Sequence, residues 1–262
     1  MIAAIYARKS TRLGIAIALL LVALGACRAS ATTIAVYRSE THLVIAADSL
    51  TTPKGSGQVP APYTVCKIFS VGEALFAVGG VLPRTLNLRG DVADILARRS
   101  SIQAAADEMT QVLTPKVNSW LLQRGADHVR KYLAKQDDDI IQIVFGAFEG
   151  PSPAIVLITF RLVFADPPVV APVTHWSCSQ SAPCASPSKA VIGQSSVAMK
   201  HADDLARVGL RPADYAAALV QLEIDAGSPG VGAPIAVAEL TSAGVSWPRK
   251  GACGSGEGAG NG

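Results

Sequence analysis

The order in which short apolar runs and amphipathic helices alternate along this chain constrains its fold more than any other feature. From Thr32, "TTIAVYR" and "HLVIAADS" are rich in β-branched and apolar residues and read as strands parted by the polar Ser39-Glu40-Thr41. After the turn-rich insert "LTTPKGSGQVPAPY", "VCKIFSV" and "ALFAVGG" form a second hairpin across Gly72-Glu73. From Pro83 the period changes. Leu86, Val92, Ile95 and Leu96 predict one helix, and Ile102, Ala105, Ala106, Met109, Val112 and Leu113 a second, which Pro115 is expected to kink or end. The second half repeats the alternation: "IIQIVFGAFE" and "AIVLITFRLV" as strands around Gly150-Pro151, "KAVIGQSS" as a short strand into a turn, and "DDLARVGL" and "PADYAAALVQLEIDA" as helices. "APIAVAEL" and "GVSW" close the chain as strands. Such a run predicts an α+β protein with two sheets sandwiched between helical layers. No repeat of fixed period is present.

Residues 1–31 read as a signal peptide: Arg8, Lys9 and Arg12 precede the apolar run Leu13 to Leu24. That run is shorter than the roughly 20 residues a membrane-spanning helix needs. Two cleavage patterns compete. Ala29-Ser30-Ala31 fits ordinary signal peptidase and would leave Thr32 first, whereas Leu24-Gly25-Ala26-Cys27 fits a lipobox and would leave a lipidated Cys27 first. The first implies a periplasmic or secreted protein, the second a lipid anchor at the cell envelope.

The remaining chain is long enough for one large domain, expected over 32–249, and a half-apolar composition supplies its core. A net charge of +3 points to neither nucleic acid nor a membrane surface. Cys66, Cys178, Cys184 and Cys253 follow the leader. Cys178 and Cys184 lie in the loop-like "HWSCSQSAPCASPSK", which an oxidising compartment could close as a disulfide. A metal site is the rival reading, with wide spacing and only His175 nearby. Residues 250–262 are expected to form a disordered glycine-rich tail.

"TTIAV", "VIAADS", "CKIF" and "FAVGG", in that order, resemble the opening of proteasome β-type subunits and the related HslV peptidase, members of the N-terminal nucleophile hydrolases. The family pattern is a Thr at the processed N-terminus, an Asp sixteen positions later, a Lys about fifteen beyond, and a glycine pair ending the next strand. Asp48 lies sixteen residues after Thr32, Lys67 nineteen after Asp48, and Gly79-Gly80 follow. More loosely, "IDAGSPGVGAPIAVAEL" is similar to the family's late D-x-x-S-G segment, which assigns Asp225 and Ser228 to its later active-site pair. The resemblance implies a four-layer αββα sandwich, with two antiparallel sheets between helical layers.

It also implies a chemistry. A threonine hydroxyl needs a base, and an N-terminal threonine carries one in its α-amine, which is largely able to accept a proton at neutral pH. Only cleavage creates that amine. Signal-peptide removal before Thr32 would therefore make export and activation one event. By the resemblance, Lys67 sets a positive charge beside Thr32, Asp48 holds Lys67 charged and oriented, the Gly79 N–H is the oxyanion donor, and Asp225 and Ser228 hydrogen-bond around the amine. Each residue alone also has an ordinary role: a strand threonine, a turn-forming aspartate, a surface ion pair, a glycine turn. One departure stands out. "VIGQSSVA" puts Gln194 where the family has a serine, with Ser195 and Ser196 beside it. Ala77 falls near the position that floors the family's first substrate pocket and implies a roomy one.

No G-x-S-x-G elbow, zinc-type histidine spacing or G-K-S/T phosphate loop occurs, and "GSPGVG" follows a helix rather than a strand. His42, His128, His175 and His201 read as solvated or structural, and no cofactor or metal is expected. The leading expectation is an exported threonine hydrolase acting on a peptide or small amide, with no ATPase partner and with homo-oligomerisation open. A non-peptide amidase, or a lipidated non-catalytic binding protein with the same fold, is the alternative.

Overall fold

In the computed structural model, the described residues are 32–51, 61–80, 85–125, 139–163, 165, 167–178 and 188–253. Both cleavage patterns, His128, Cys184 and tail residues 254–262 lie outside them, as do the side chains of His175 and Cys178, and with these the expected Cys178–Cys184 bridge. Among the described residues twelve strands alternate with four helices: β1 Thr33–Arg38, β2 Leu43–Asp48, β3 Leu50–Thr51, β4 Tyr63–Thr64, β5 Ile68–Val71, β6 Ala74–Gly80, α1 Leu88–Arg98, α2 Ile102–Arg124, β7 Asp139–Glu149, β8 Ser152–Val163, β9 Val169–Cys178, β10 Ser188–Gly193, α3 Ser196–Arg207, α4 Pro212–Asp225, β11 Ile235–Thr241 and β12 Gly244–Arg249. They form two five-stranded antiparallel sheets, ordered β10-β1-β2-β11-β12 and β5-β6-β7-β8-β9, and a small β3-β4 ribbon. The chain is an α+β protein.

Strand periodicity sorts the side chains into three cores. Along β1 and β2, Ile34, Val36, Leu43 and Ile45 join Leu75 and Ala77 of β6, Val144 of β7 and Leu157 of β8 in one cluster. The intervening Ala35, Val44 and Ala46 pack with Ala198, Ala202, Tyr215, Leu219 and Val220 of α3 and α4. Phe76, Phe145 and Phe160, from the other faces of β6, β7 and β8, pack with Met109, Leu113 and Leu121 of α2. Fully burying side chains of this size contributes roughly 1.5–3 kcal/mol each.

Caps explain where the first helices start. Asn87 Oδ1 accepts from Gly90 N at 3.0 Å, and Ser101 Oγ from Ala104 N at 3.1 Å. Of the two outcomes expected at Pro115, a kink or an end, the end does not occur: α2 continues to Arg124. The reason lies in packing. Val117, Trp120 and Leu121 beyond the proline are buried in the same cluster as Met109 and Leu113, and their burial outweighs a proline cost of about 3 kcal/mol.

Two further differences from the sequence reading concern edges. Residues 169–178, part of which reads as loop, form β9 at a sheet edge, where Pro172 is tolerated because no second neighbour needs its missing N–H. The expected tail begins with structure: Gly251–Cys253 make a 3₁₀ turn, and Cys253 is disulfide-bonded to Cys66 across 187 residues. Gly251 has φ +52°, and a Cβ there would meet Ala236 N at 2.8 Å, so the turn lies directly on β11.

Candidate functional site

Several strand ends meet around Thr32. It immediately precedes β1, whose first residue Thr33 pairs with Gly193, the last of β10. Asp48 ends the neighbouring β2 and pairs with Ile235 at the start of β11. Gly79 lies near the end of β6, opposite Gln142 of β7.

Asp48 is the hub. Its side chain is fully buried, and Oδ1 accepts from the backbone N of Thr33 at 2.9 Å. Lys67 Nζ donates to both carboxylate oxygens at 3.0 Å and to Leu50 O at 2.8 Å. The N–H of Gly232 completes the set, 3.2 Å from Oδ2. Lys67 is itself only 6% exposed, so this is no surface ion pair of small energetic value. Burial pushes the Asp48 carboxyl above the usual carboxylate range, opposed first by Lys67 and then by its backbone donors. Burial pushes the Lys67 ammonium below its ordinary value, opposed by Asp48.

Thr32 is held by main chain. Gln194 N donates to Thr32 O at 2.8 Å, and Thr33 Oγ1 returns a bond to Gln194 O at 2.7 Å. Gly193 has φ +78°, and a Cβ there would lie 1.8 Å from Thr32 O, so only glycine allows this approach. Its N–H donates to Gln142 Oε1 at 2.9 Å, tying the two sheets together beside the threonine. On the other side, a Cβ on Gly79 would lie 3.1 Å from Ile34 Cδ1 and 3.9 Å from Thr32 Cγ2. Close approach at Gly79 is therefore real, but the left-handed φ, +97°, belongs to its neighbour Gly80.

Thr32, Asp48, Lys67 and Gly79 are thus drawn to one region. Asp225 is exposed at the end of α4, and its carboxylate accepts from Gln221 Nε2 at 2.7 Å. Ser228 donates its hydroxyl to Glu223. Gln194 bonds through its backbone, its N–H donating to Thr32 O and its carbonyl accepting from Thr33 Oγ1. Ala77, expected near the floor of a pocket, is fully buried in the cluster that contains residues of both sheets, because alternation along β6 turns Leu75 and Ala77 inward together.

Sequence reasoning passed over Gly232, Gln142 and Glu223. Glu223 left a trace: with Ala216, Leu219 and Val220 it falls at helical spacing on the apolar stripe of α4, a carboxyl where a hydrocarbon belongs. Among the described residues no group of three or more His, Cys, Asp or Glu side chains is placed to hold a metal ion, and no helix is long and apolar enough to cross a membrane. Compared with protein-family models and with curated proteins, the chain matches none.

Proposed function

We propose that this chain is an exported threonine-type N-terminal nucleophile hydrolase that cleaves an amide bond in a peptide or small amide, with Thr32 made the first residue by leader removal. One observation carries the reading. A buried carboxyl, Asp48, binds at once a buried lysine and the backbone N–H of the residue after Thr32. Burying such a pair is costly, and that cost makes sense where the charge is used. The fold fits. One cluster draws on both sheets, and the other two pair one sheet face with helices, which supports an αββα sandwich.

In the proposed reaction the Thr32 α-amine takes the hydroxyl proton, directly or through a water, as the oxygen attacks the amide carbon. The Gly79 N–H stabilises the resulting oxyanion. Collapse breaks the C–N bond, and the proton passes to the departing amine. Water then attacks the Thr32 ester, giving up a proton to the Thr32 α-amine, which returns it to the Thr32 oxygen as the ester C–O bond breaks and the acid product leaves. Lys67, aimed by Asp48, favours the unprotonated amine and the developing alkoxide by its charge.

A lipidated, non-catalytic binding protein is favoured by the exposed position of Asp225, whose carboxylate is bonded to Gln221 of its own helix. Mass spectrometry of the exported protein separates the two. A chain starting at an unblocked Thr32 is expected, and a modified Cys27 at the terminus would leave the hydrolase without its base. Thr32→Ala should then lower turnover of a fluorogenic peptide and amide panel about a thousandfold or more with the fold intact. Unchanged turnover refutes the assignment.

A further inference from the structure

Glu223 is a fully buried carboxyl that the proposed reaction does not use. It projects from the last turns of α4 toward the start of α3, where its Oε1 accepts from Val197 N at 2.7 Å and from Ala198 N at 2.8 Å. These are two of the otherwise orphan donors of the α3 N-terminus, and Ser195, the residue in the capping position, makes no side-chain cap of its own. The other oxygen, Oε2, accepts the Ser228 hydroxyl. Ser228 O in turn accepts from Val231 N at 3.1 Å, and Ser228 N donates to Glu223 O at 3.0 Å, so the residue is stitched into the turn that leads to Gly232.

The two segments joined in this way are the two that hold the site. Immediately before α3 lie Gly193 and Gln194, whose backbone grips Thr32 and Thr33. At the end of the 228–232 turn lies Gly232, which donates to Asp48 and accepts from the N–H groups of Ser49 and Leu50 at 3.2 and 3.3 Å. We infer that Glu223 is the positioning residue of this site: through Ser228 and the first turn of α3 it fixes both segments, and so sets Thr32 against the Asp48–Lys67 pair. The inference rests on the hydrolase reading for its catalytic consequence, but its structural content stands apart from it. A carboxyl is suited to the task because it accepts several bonds at once and the helix start favours negative charge.

The test uses the full exported chain with Glu223→Gln, Ser228→Ala and both together. Amide hydrogen exchange is followed at Gln194 and Val197, alongside kcat and KM for the best substrate of the panel. Glu223→Gln keeps one acceptor and should speed exchange at Gln194 about tenfold, with kcat falling by a similar factor and KM little changed. Ser228→Ala should move the same quantities the same way by a smaller factor. The double variant should be no worse than Glu223→Gln alone, since both act through one path. Should Glu223→Gln fail to fold, Ser228→Ala decides, with a rise of about threefold in Gln194 exchange expected. Exchange at Gln194 within twofold of wild type in the folded variants overturns the inference, as does an unchanged kcat in an enzyme whose turnover depends on Thr32. If wild type shows no Thr32-dependent turnover, the hydrolase reading fails by itself, and exchange still decides what Glu223 holds in place.

Discussion

Asp48→Asn is expected to cost about 3–5 kcal/mol of stability, measured as the shift in urea-denaturation free energy, because it leaves Lys67 buried without its counter-charge. Lys67 Nζ would keep Leu50 O and at most the one remaining side-chain oxygen, now uncharged, and one of the N–H groups of Thr33 and Gly232 would face an amide NH₂ that cannot accept. Removing both charges, as in Asp48→Leu with Lys67→Met, should recover much of that stability while leaving the protein inactive, which separates folding from chemistry. A loss under about 1 kcal/mol for Asp48→Asn would show a solvated pair. The pH profile carries a second sign. Because burial lowers the Lys67 pKa below its ordinary value of 10.5, the charge that the proposed reaction would use is expected to be lost on an alkaline limb that begins below that value. Between the lowered value and 10.5 the unfolded chain binds the proton and the folded chain does not, so the Lys67 contribution to stability rises with pH while kcat/KM falls. Without the Asp48 carboxylate, whose attraction opposes the burial effect, any residual activity should fall at still lower pH.

Reduction of Cys66–Cys253 is the second large effect. Closing a loop of 187 residues removes chain entropy from the unfolded state worth about 5 kcal/mol on the polymer argument, and native bridges commonly deliver about 2–4 kcal/mol. Cys66→Ser/Cys253→Ser should lose stability in that range, and wild type treated with a thiol reductant should fall to the same level. With Cys178 and Cys184 also changed to serine, so that the bridge they could form does not contribute, the reductant should have no effect on the double variant. A wild-type denaturation midpoint that stays put while mass spectrometry shows two free thiols would refute the prediction. The bridge also matters locally: Cys66 immediately precedes Lys67, and Cys253 packs at the margin of the cluster that contains both sheets.

The strands were readable because alternation is short-ranged: each of β1, β2, β6, β7 and β8 contains enough β-branched and apolar residues to declare itself. β9 was hidden by Pro172 and by the serines and prolines after it, which mark a turn in most contexts but are harmless on an edge. Pro115 misled for the opposite reason: propensity is local, and the buried Val117, Trp120 and Leu121 that override it act through tertiary contacts. At the site, the pairing of Asp48 with Lys67 was expected from a resemblance in spacing rather than from physics, and the bond from Thr33 N to Asp48 had no mark in the sequence. The Cys66 to Cys253 pairing had no local mark, since Cys178 and Cys184 were nearer in sequence and looked the better couple. Asp225 and Ser228 show the limit of motif transfer. The serine hydroxyl found a carboxyl, but that of Glu223, two residues before Asp225 and buried.

The left-handed turn at Gly193 offers a control that leaves every reacting group in place. An alanine methyl there would be driven into the carbonyl of Thr32, so the chain must back away from the threonine or the threonine must swing out. Either way the hydroxyl, the lysine and the aspartate all survive chemically while their alignment is lost. A protein silenced in this manner still carries the full set of parts, and comparing it with Thr32→Ala would distinguish what the parts contribute from what their arrangement contributes.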